Sequence, residues 1–334
     1  MHLVLTLPGL LAQEADRAAR APHLARMLAI AGSPMHEPEG PDAALARHYG
    51  IEHAAGTDCP LAAVRLAALG VDPGPAFWLA ADPVTLVAGR DDVHLAGIVQ
   101  DLDADDAATL VAMLNAHFST DGIAFVAARP DAWFVRAPAR VALRTRPVAT
   151  VAGRMLRDLM PTGPDAGTWQ RWQSEIQMLL HDHPVNAARE AGGKAPANSV
   201  WFSEGGALPS RVPASSVATF AGNGIAAALA AHVDGTARAV PATLDSALAT
   251  AGDASTIVVA LPLPLDLDAV ERNWAAPAWT ALVQRRVDAV TMIAEGRDGA
   301  LAWTARPPGP WRRIALRFAR DDLASVLAAA RADA

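Results

Sequence analysis

Glu175-Ile-Gln-Met-Leu-Leu-His181-Asp182-His183-Pro184-Val-Asn186-Ala-Ala-Arg189-Glu-Ala-Gly192-Gly193-Lys194-Ala-Pro196-Ala-Asn198-Ser-Val-Trp201-Phe-Ser203-Glu204-Gly205-Gly206 gathers polar side chains in an otherwise alanine-rich chain. Apolar residues over Gly167–His181 (Trp169, Trp172, Ile176, Leu179, Leu180) recur at helical spacing and predict an amphipathic helix. Pro184 suits the first turn of a second helix, with Asp182 or His183 as its N-cap. Gly192-Gly193 ends that helix, and Ser199–Phe202 reads as a strand. Two further strands, Val217–Phe220 and Ser255–Leu261, alternate with helical segments. Such alternation argues for a parallel sheet with helices on its faces.

Outward from this stretch, His2–Leu7 reads as a strand and Ala21–Ala31 as a helix stopped at Gly32-Ser33-Pro34. Residues 33–60 read as a long loop, and Leu61–Leu69 as a helix closed by Gly70. Thr85–Ala88 and Val93–Ile98 are expected as strands around the turn Gly89-Arg-Asp-Asp92. Asp105–Phe118 is expected as a helix whose early acids favour the macrodipole. Ile123–Ala128, Trp133–Val135 and Arg140–Arg144 read as strands. Ala289–Ala294 and Leu301–Ala305 read as a hairpin around Gly296–Gly299, and Asp321–Ala332 as a last helix. The expected organisation is an α/β core of residues 1–83 and 151–334 with an inserted α+β subdomain at 84–150. No internal repeat is found.

The chain has 334 residues, 52% hydrophobic and 19% charged, enough to bury a sizeable core. A net charge of −7 argues against a nucleic-acid partner. Arginines gather at Arg306 and Arg312–Arg320, but Asp321 and Asp322 follow at once, which reads as a solvated face. Cys59 is the one cysteine, so no intrachain disulfide or cysteine-based zinc site can form. The apolar start Met1–Ala12 lacks a basic leader and is cut by Pro8-Gly9. It reads as a buried strand. No run of about 18 apolar residues predicts a membrane span, and a cytoplasmic location is the expectation.

His183-Pro184-Val185-Asn186, Arg189, Gly193-Lys194, Pro196-Ala197-Asn198, Trp201 and Gly205-Gly206 resemble a segment of archaeal-type cofactor-independent phosphoglycerate mutases, members of the alkaline phosphatase superfamily. Trp78-Leu-Ala-Ala-Asp82-Pro83-Val84, Arg90-Asp91 and Leu114-Asn115-Ala-His117-Phe118 with Gly122 form a second matching block. The likeness covers roughly residues 75–240 and is closer to bacterial regulatory proteins of RpfE type. Ser203-Glu204 departs from the aromatic-Gly usual in these relatives. The resemblance implies an alkaline-phosphatase-like core with a central, mostly parallel sheet. It also implies two metal ions held by Asp and His around a Ser or Thr nucleophile, clamping the oxygens of a displacement at phosphorus. An active relative ends its first strand in Asp-Gly, where this chain has Pro8-Gly9. Its C-terminal half supplies Asp and His ligands, whereas the last histidine here is His232. The resemblance therefore implies a degenerate relative with a regulatory or ligand-sensing role and no expected cofactor.

The candidate residues carry alternatives. Gly56-Thr57-Asp58 ahead of Gly70-Val71-Asp72-Pro73 resembles the mutase nucleophile region, which makes Thr57 a candidate nucleophile. The bland reading of Thr57 is a turn or cap residue. His181 and His183, with Asp58, could bind metal, could cap and hinge two helices, or could join an anion pocket. Asn186 and Arg189, three apart on one helical face, could grip a phosphate or carboxylate with His183, Lys194 and Asn198. Arg189 could equally pair with an acid, and Asn198 could bond loop backbone. Val217–Ala227 contains Gly222-Asn-Gly224-Ile-Ala-Ala227, a Gly-x-Gly-x-x-Ala pattern without the ribose-binding acid of a dinucleotide site. A sheet-crossover turn is the better reading. An active phosphomutase or phosphohydrolase, with Mn or Mg on a set such as His36, Asp58, His181 and His183, is the alternative function. A structural interaction protein is the third. The expected partners are a phosphorylated or carboxylated small molecule and an unidentified protein, with no nucleic acid and no membrane.

Overall fold

The computed structural model describes residues 1–13, 21–54, 56–89, 93–157, 159–211, 217–233, 235–296, 299–309 and 323–333. Twelve strands run through them: β1 (His2–Thr6), β2 (Met35–Glu37), β3 (Phe77–Ala88), β4 (Val93–Ile98), β5 (Ala124–Arg129), β6 (Ala132–Arg136), β7 (Ser199–Ala207), β8 (Val217–Phe220), β9 (Ala237–Arg238), β10 (Thr256–Ala260), β11 (Ala289–Gly296) and β12 (Gly299–Ala305). The chain forms two compact units, Met1–Ile51 with Arg211–Ala334, and Glu52–Ser210.

The first unit is built on a seven-stranded mixed sheet of order β2-β12-β11-β1-β10-β8-β9. β11, β1, β10, β8 and β9 are parallel, and β12 and β2 add antiparallel strands at one side. β1 lies in the middle, as a strand reading His2-Leu-Val-Leu-Thr6 should, because both of its faces are covered. The expected parallel sheet is thus present in five strands and bordered by the hairpin read from Ala289–Ala305. The turn of that hairpin at 297–298 lies outside the described residues, as do the Arg312–Arg320 run and Asp321-Asp322. The last helix is described from Leu323 to Asp333. Residues 33–60, read as a loop, in fact contain β2 and a helix, Pro41–Ala46. β2 is only three residues long, and the helix is an alanine-rich turn begun by Pro41, so neither carries a periodic signal.

Glu271, in a π-helical turn, closes the N-terminus of the helix Pro22–Ala31. It accepts from the backbone N–H of His23 (3.0 Å) and Leu24 (3.1 Å) and meets His23 Nδ1 at 2.5 Å. Helix starts leave orphan N–H donors that a buried acceptor must satisfy.

The second unit is an antiparallel five-stranded sheet. β3 is its axis, paired with β7 along Phe77–Val84 and, on its other edge, with β6 at Trp78–Ala80 and with β4 at Val84–Ala88. Pro83 sits mid-strand, where a proline normally weakens a ladder. Its carbonyl accepts from Val99 N on the β4 edge. In an extended residue the N–H site faces the same edge. The missing donor therefore falls in the gap between the β6 and β4 pairings. The helices Ala104–His117 and Ala166–His181 share one core with that sheet, with Trp169 edge-to-face on Phe202 at 4.9 Å. The helix Leu61–Ala68 packs into another core with Trp78, Ala80 and Phe134.

Several expectations change here. The α+β region is the whole of Glu52–Ser210 and not 84–150, because β3 begins at Phe77 and its main partner is β7, far along the chain. Ser199–Phe202 accordingly belongs to this antiparallel sheet and not to the parallel one. Arg140–Arg144 is no strand; only Arg144 bridges to Thr162. The turn residues Arg90–Asp92 lie outside the described residues.

Glu271→Ala should lower the unfolding free energy by about 2 kcal/mol. Urea denaturation should show a reduced midpoint at an unchanged slope.

Candidate functional site

The helix pair around His183 forms a hydrogen-bonded joint. His183 caps the helix Pro184–Ala191, its Nδ1 accepting from Val185 N at 3.2 Å. Asn186 is buried; its Nδ2 donates to Leu180 O (2.7 Å) and Ala197 O (3.0 Å), and its Oδ1 accepts from Ala197 N (2.9 Å). Arg189, also buried, donates from Nε to Ala195 O (2.9 Å), from Nη1 to Asp101 O (3.2 Å) and from Nη2 to Asp101 Oδ1 (2.5 Å). That guanidinium holds the Asp101 carboxyl below the usual carboxylate range. Asn198 bonds both backbone groups of Leu86 at 2.7 and 2.8 Å. His181 and Lys194 are exposed. The donors and acceptors of Asn186, Arg189 and Asn198 are thus used within the protein, on backbone groups and on the Asp101 carboxylate. None of the six residues lines either of the two large clefts described next.

The second unit carries a cleft of about 850 Å³ at one end of its sheet. It is lined by the loop containing Glu52, His53, Thr57 and Asp58, by Arg136 at the end of β6, by Arg140, and by Gly205 and Gly206 of β7. Neither guanidinium, Arg136 nor Arg140, has a side-chain hydrogen bond or ion pair among the described residues. Thr57 Oγ1 donates to Ala54 O at 2.8 Å, which is the turn role. Asp58 is buried and accepts from Thr145 N (2.8 Å), Thr145 Oγ1 (2.5 Å) and Gly205 N (3.1 Å). Burial pushes its carboxyl up against the pull of those bonds, and neighbouring Glu204 pushes the same way.

Glu204 explains the departure seen in sequence. Between the pairs Trp78↔Gly206 and Ala80↔Ser203, β7 has two residues opposite one, a β-bulge. Glu204 takes its left-handed position at φ 62, where glycine would sit without strain and a side chain costs about 1–3 kcal/mol. Gly206 cannot be replaced, since a Cβ there would lie 2.3 Å from Pro60. The Glu204 carboxylate is held by Arg65 Nη1 at 2.8 Å, and Arg65 Nη2 reaches Asp82 at 3.3 Å. Asp82 is 0% exposed, and its Oδ2 has no hydrogen-bond partner. Burial raises its carboxyl to about 6 despite Arg65, with Glu204 adding to the rise. Sequence reading missed Arg136, Arg140 and Arg65. No local pattern marks them, because pairing of β3, β6 and β7 brings them to this end of the sheet.

The first unit has a cleft of about 990 Å³ where the parallel strands end. It is bordered by Thr6, Pro8, Gly222, Asn223, Leu261 and Glu295. Carboxyl ends of parallel strands are where α/β sheets bind ligands. Its carboxylates among the described residues are Asp42 and Glu295, and no histidine lines it. Two divalent ions require about six or more nitrogen and oxygen ligands between them. The donors present do not fit that pair. His36 of the alternative ligand set lies on β2, not on this lining.

No protein-family model matches the chain. Over 132 residues, 39% of its length, it is 25% identical to the 2,3-bisphosphoglycerate-independent phosphoglycerate mutase of Methanosarcina barkeri. The match spans about a third (32%) of that relative, so the homology to cofactor-independent phosphoglycerate mutase is distant and partial. Among solved structures, the chain is similar to the cofactor-independent phosphoglycerate mutase of Thermoplasma acidophilum, with TM-score 0.40, 14% identity and coverage of 92% and 90% of the two chains. It is also similar to the PH0037 protein of Pyrococcus horikoshii, with TM-score 0.46, 14% identity and coverage of 92% and 87%. No helix among the described residues is long and apolar enough to cross a membrane.

Arg189→Ala should destabilise the protein by about 2–3 kcal/mol, seen as a lower urea midpoint, without weakening anion binding in the arginine-lined cleft. Asp82 holds its proton more tightly folded than unfolded, so stability should fall as pH rises from about 4 through about 6. Asp82→Asn should flatten that decline in urea titrations across the range.

Proposed function

We propose that this chain is a non-catalytic relative of the phosphoglycerate mutases, of the regulatory RpfE type, that senses a small phosphorylated or carboxylated molecule in a bacterial cytoplasm. The observation that carries the reading is the donor set at the ends of the parallel strands. Pro8 stands where the resemblance calls for a metal-binding Asp, and the described lining offers two carboxylates and no histidine. A displacement at phosphorus without that clamp lacks its main source of charge stabilisation. The ligand site lies in the second unit's cleft, where the Arg136 and Arg140 guanidinium groups have no partner among the described residues. Guanidinium groups bind phosphate and carboxylate through parallel hydrogen bonds. The site first read around Asn186 and Arg189 acts instead as the joint that fixes the helix Pro184–Ala191 against the neighbouring loops.

A second reading is an active mutase or phosphohydrolase, favoured by the adjacency of Thr57 and Asp58 on the lining of the same cleft. It requires Mn or Mg, and the interconversion of 3- and 2-phosphoglycerate with loss of rate in Thr57→Ala would establish it. For the sensing reading, 3-phosphoglycerate or inorganic phosphate should raise the melting temperature of the wild type. Arg136→Ala with Arg140→Ala should abolish the shift, with no mutase turnover in Mn. A shift that survives both substitutions would move the ligand elsewhere.

A further inference from the structure

A connected set of charged groups runs from the lining of the arginine-lined cleft into the sheet. Asp58 forms part of the cleft lining and accepts from Gly205 N. Gly205 follows Glu204, which is held in left-handed backbone at the bulge. Glu204 shares Arg65 with Asp82. One guanidinium thus serves two buried carboxylates, with a third, Asp58, beside them. Asp82 Oδ2 accepts no hydrogen bond although the residue is fully buried. An ionised oxygen so placed is expensive, and a proton is the smallest group that relieves it.

We infer that Asp82 is a proton-linked control on the arginine-lined cleft: anion binding there takes up a proton on Asp82, and the affinity for anions rises as the pH falls. This rests on the reading of that cleft as the ligand site. The groups that face Asp82 are Arg65 from the helix Leu61–Ala68, Glu204 from β7 and Asp131 from the turn after β5, the last held by Arg129 at 2.6 Å. With Asp58, Asp82 and Glu204 all ionised, Arg65 leaves this network with an excess of two negative charges, Asp58 being its member on the cleft lining. A proton on Asp82 removes one of them. The proton goes to the unpartnered Oδ2, so Oδ1 still accepts from Arg65 at 3.3 Å while Glu204, at 2.8 Å, becomes the one charged partner of that guanidinium. Removing one negative charge from this network favours an anion in the cleft. Burial has already lifted the Asp82 carboxyl to about 6, so the transfer falls between pH 5 and 8.

Sulfate is the probe, because it keeps its charge across this range. Its binding to the full chain is measured by titration calorimetry at pH 5.5 and 7.5, in two buffers of different ionisation heat. The expected result is roughly three- to fivefold tighter binding at the lower pH, with a fraction of a proton taken up at pH 6.5. Asp82→Asn should remove both the pH dependence and the proton uptake, with its affinity near the low-pH value. His53 lines the same cleft; His53→Gln should leave the dependence in place. Zero proton uptake by the wild type overturns the inference even if the Asp82 variant does not fold. A dependence lost in His53→Gln and kept in Asp82→Asn overturns it as well. Absence of sulfate binding at every pH, unchanged in Arg136→Ala, sinks the ligand site itself.

Discussion

The second unit depends on the pairing of β3 with β7. That ladder joins residues 77–84 to residues 199–207, more than a hundred positions apart, and everything between them is folded as an excursion from it. Its single irregularity, the bulge at Glu204, does three things at once. It turns a carboxylate towards Arg65, presents the Gly205 N–H to Asp58, and brings Gly206 close enough to Pro60 that no side chain fits. The loop carrying Thr57 and Asp58 is therefore positioned by the Asp58 carboxylate on Thr145 and Gly205 and by the close approach of Pro60 to Gly206. A strained glutamate in a place suited to glycine is stable only if its surroundings over-determine it. Arg65 supplies that constraint.

The two sheets solve different problems. The parallel strands of the first unit are buried on both faces and read as continuous apolar runs, such as Leu3-Val4-Leu5 and Ile257-Val258-Val259. The antiparallel sheet of the second unit is covered by helices but keeps one end open, where charged residues collect. Most buried polar groups there are tied into bonds, Asp82 Oδ2 being an exception. Asn186, Arg189 and Asn198 form a joint that is polar in composition and structural in action. Residue type alone could not separate that joint from a ligand pocket, since the same donors serve backbone carbonyls and phosphate oxygens equally well.

Much of the secondary structure was legible. The amphipathic period of Ala166–His181, the proline-initiated helix after His183 and the β1, β8 and β10 strands follow directly from local spacing. The partner of Ser199–Ala207 did not, because register between distant strands leaves no mark in a short window. β3 begins at Phe77, ahead of the expected Thr85–Ala88, and the switch of partner strands at Pro83 accommodates the proline inside it. Of the site, Thr57, Asp58 and the oddity at Ser203-Glu204 were visible. Arg136 and Arg140 were not, since nothing in Val135-Arg136-Ala137-Pro138 distinguishes a cleft arginine from a solvated one.

The borders of the seven-stranded sheet carry a separate consequence. Among the described residues it ends in β2, three residues long, at one side and in β9, two residues long, at the other. An exposed strand edge is a template on which other chains can assemble. Here the longer strands are flanked, over part of their length, by strands too short to offer a long template of their own. Arg238 on β9 turns its guanidinium onto Thr250 O and the Phe220 ring, covering part of that side. The sheet is thereby guarded against growth by accretion, and this protection lies in the brevity of two strands with little regular sequence pattern of their own.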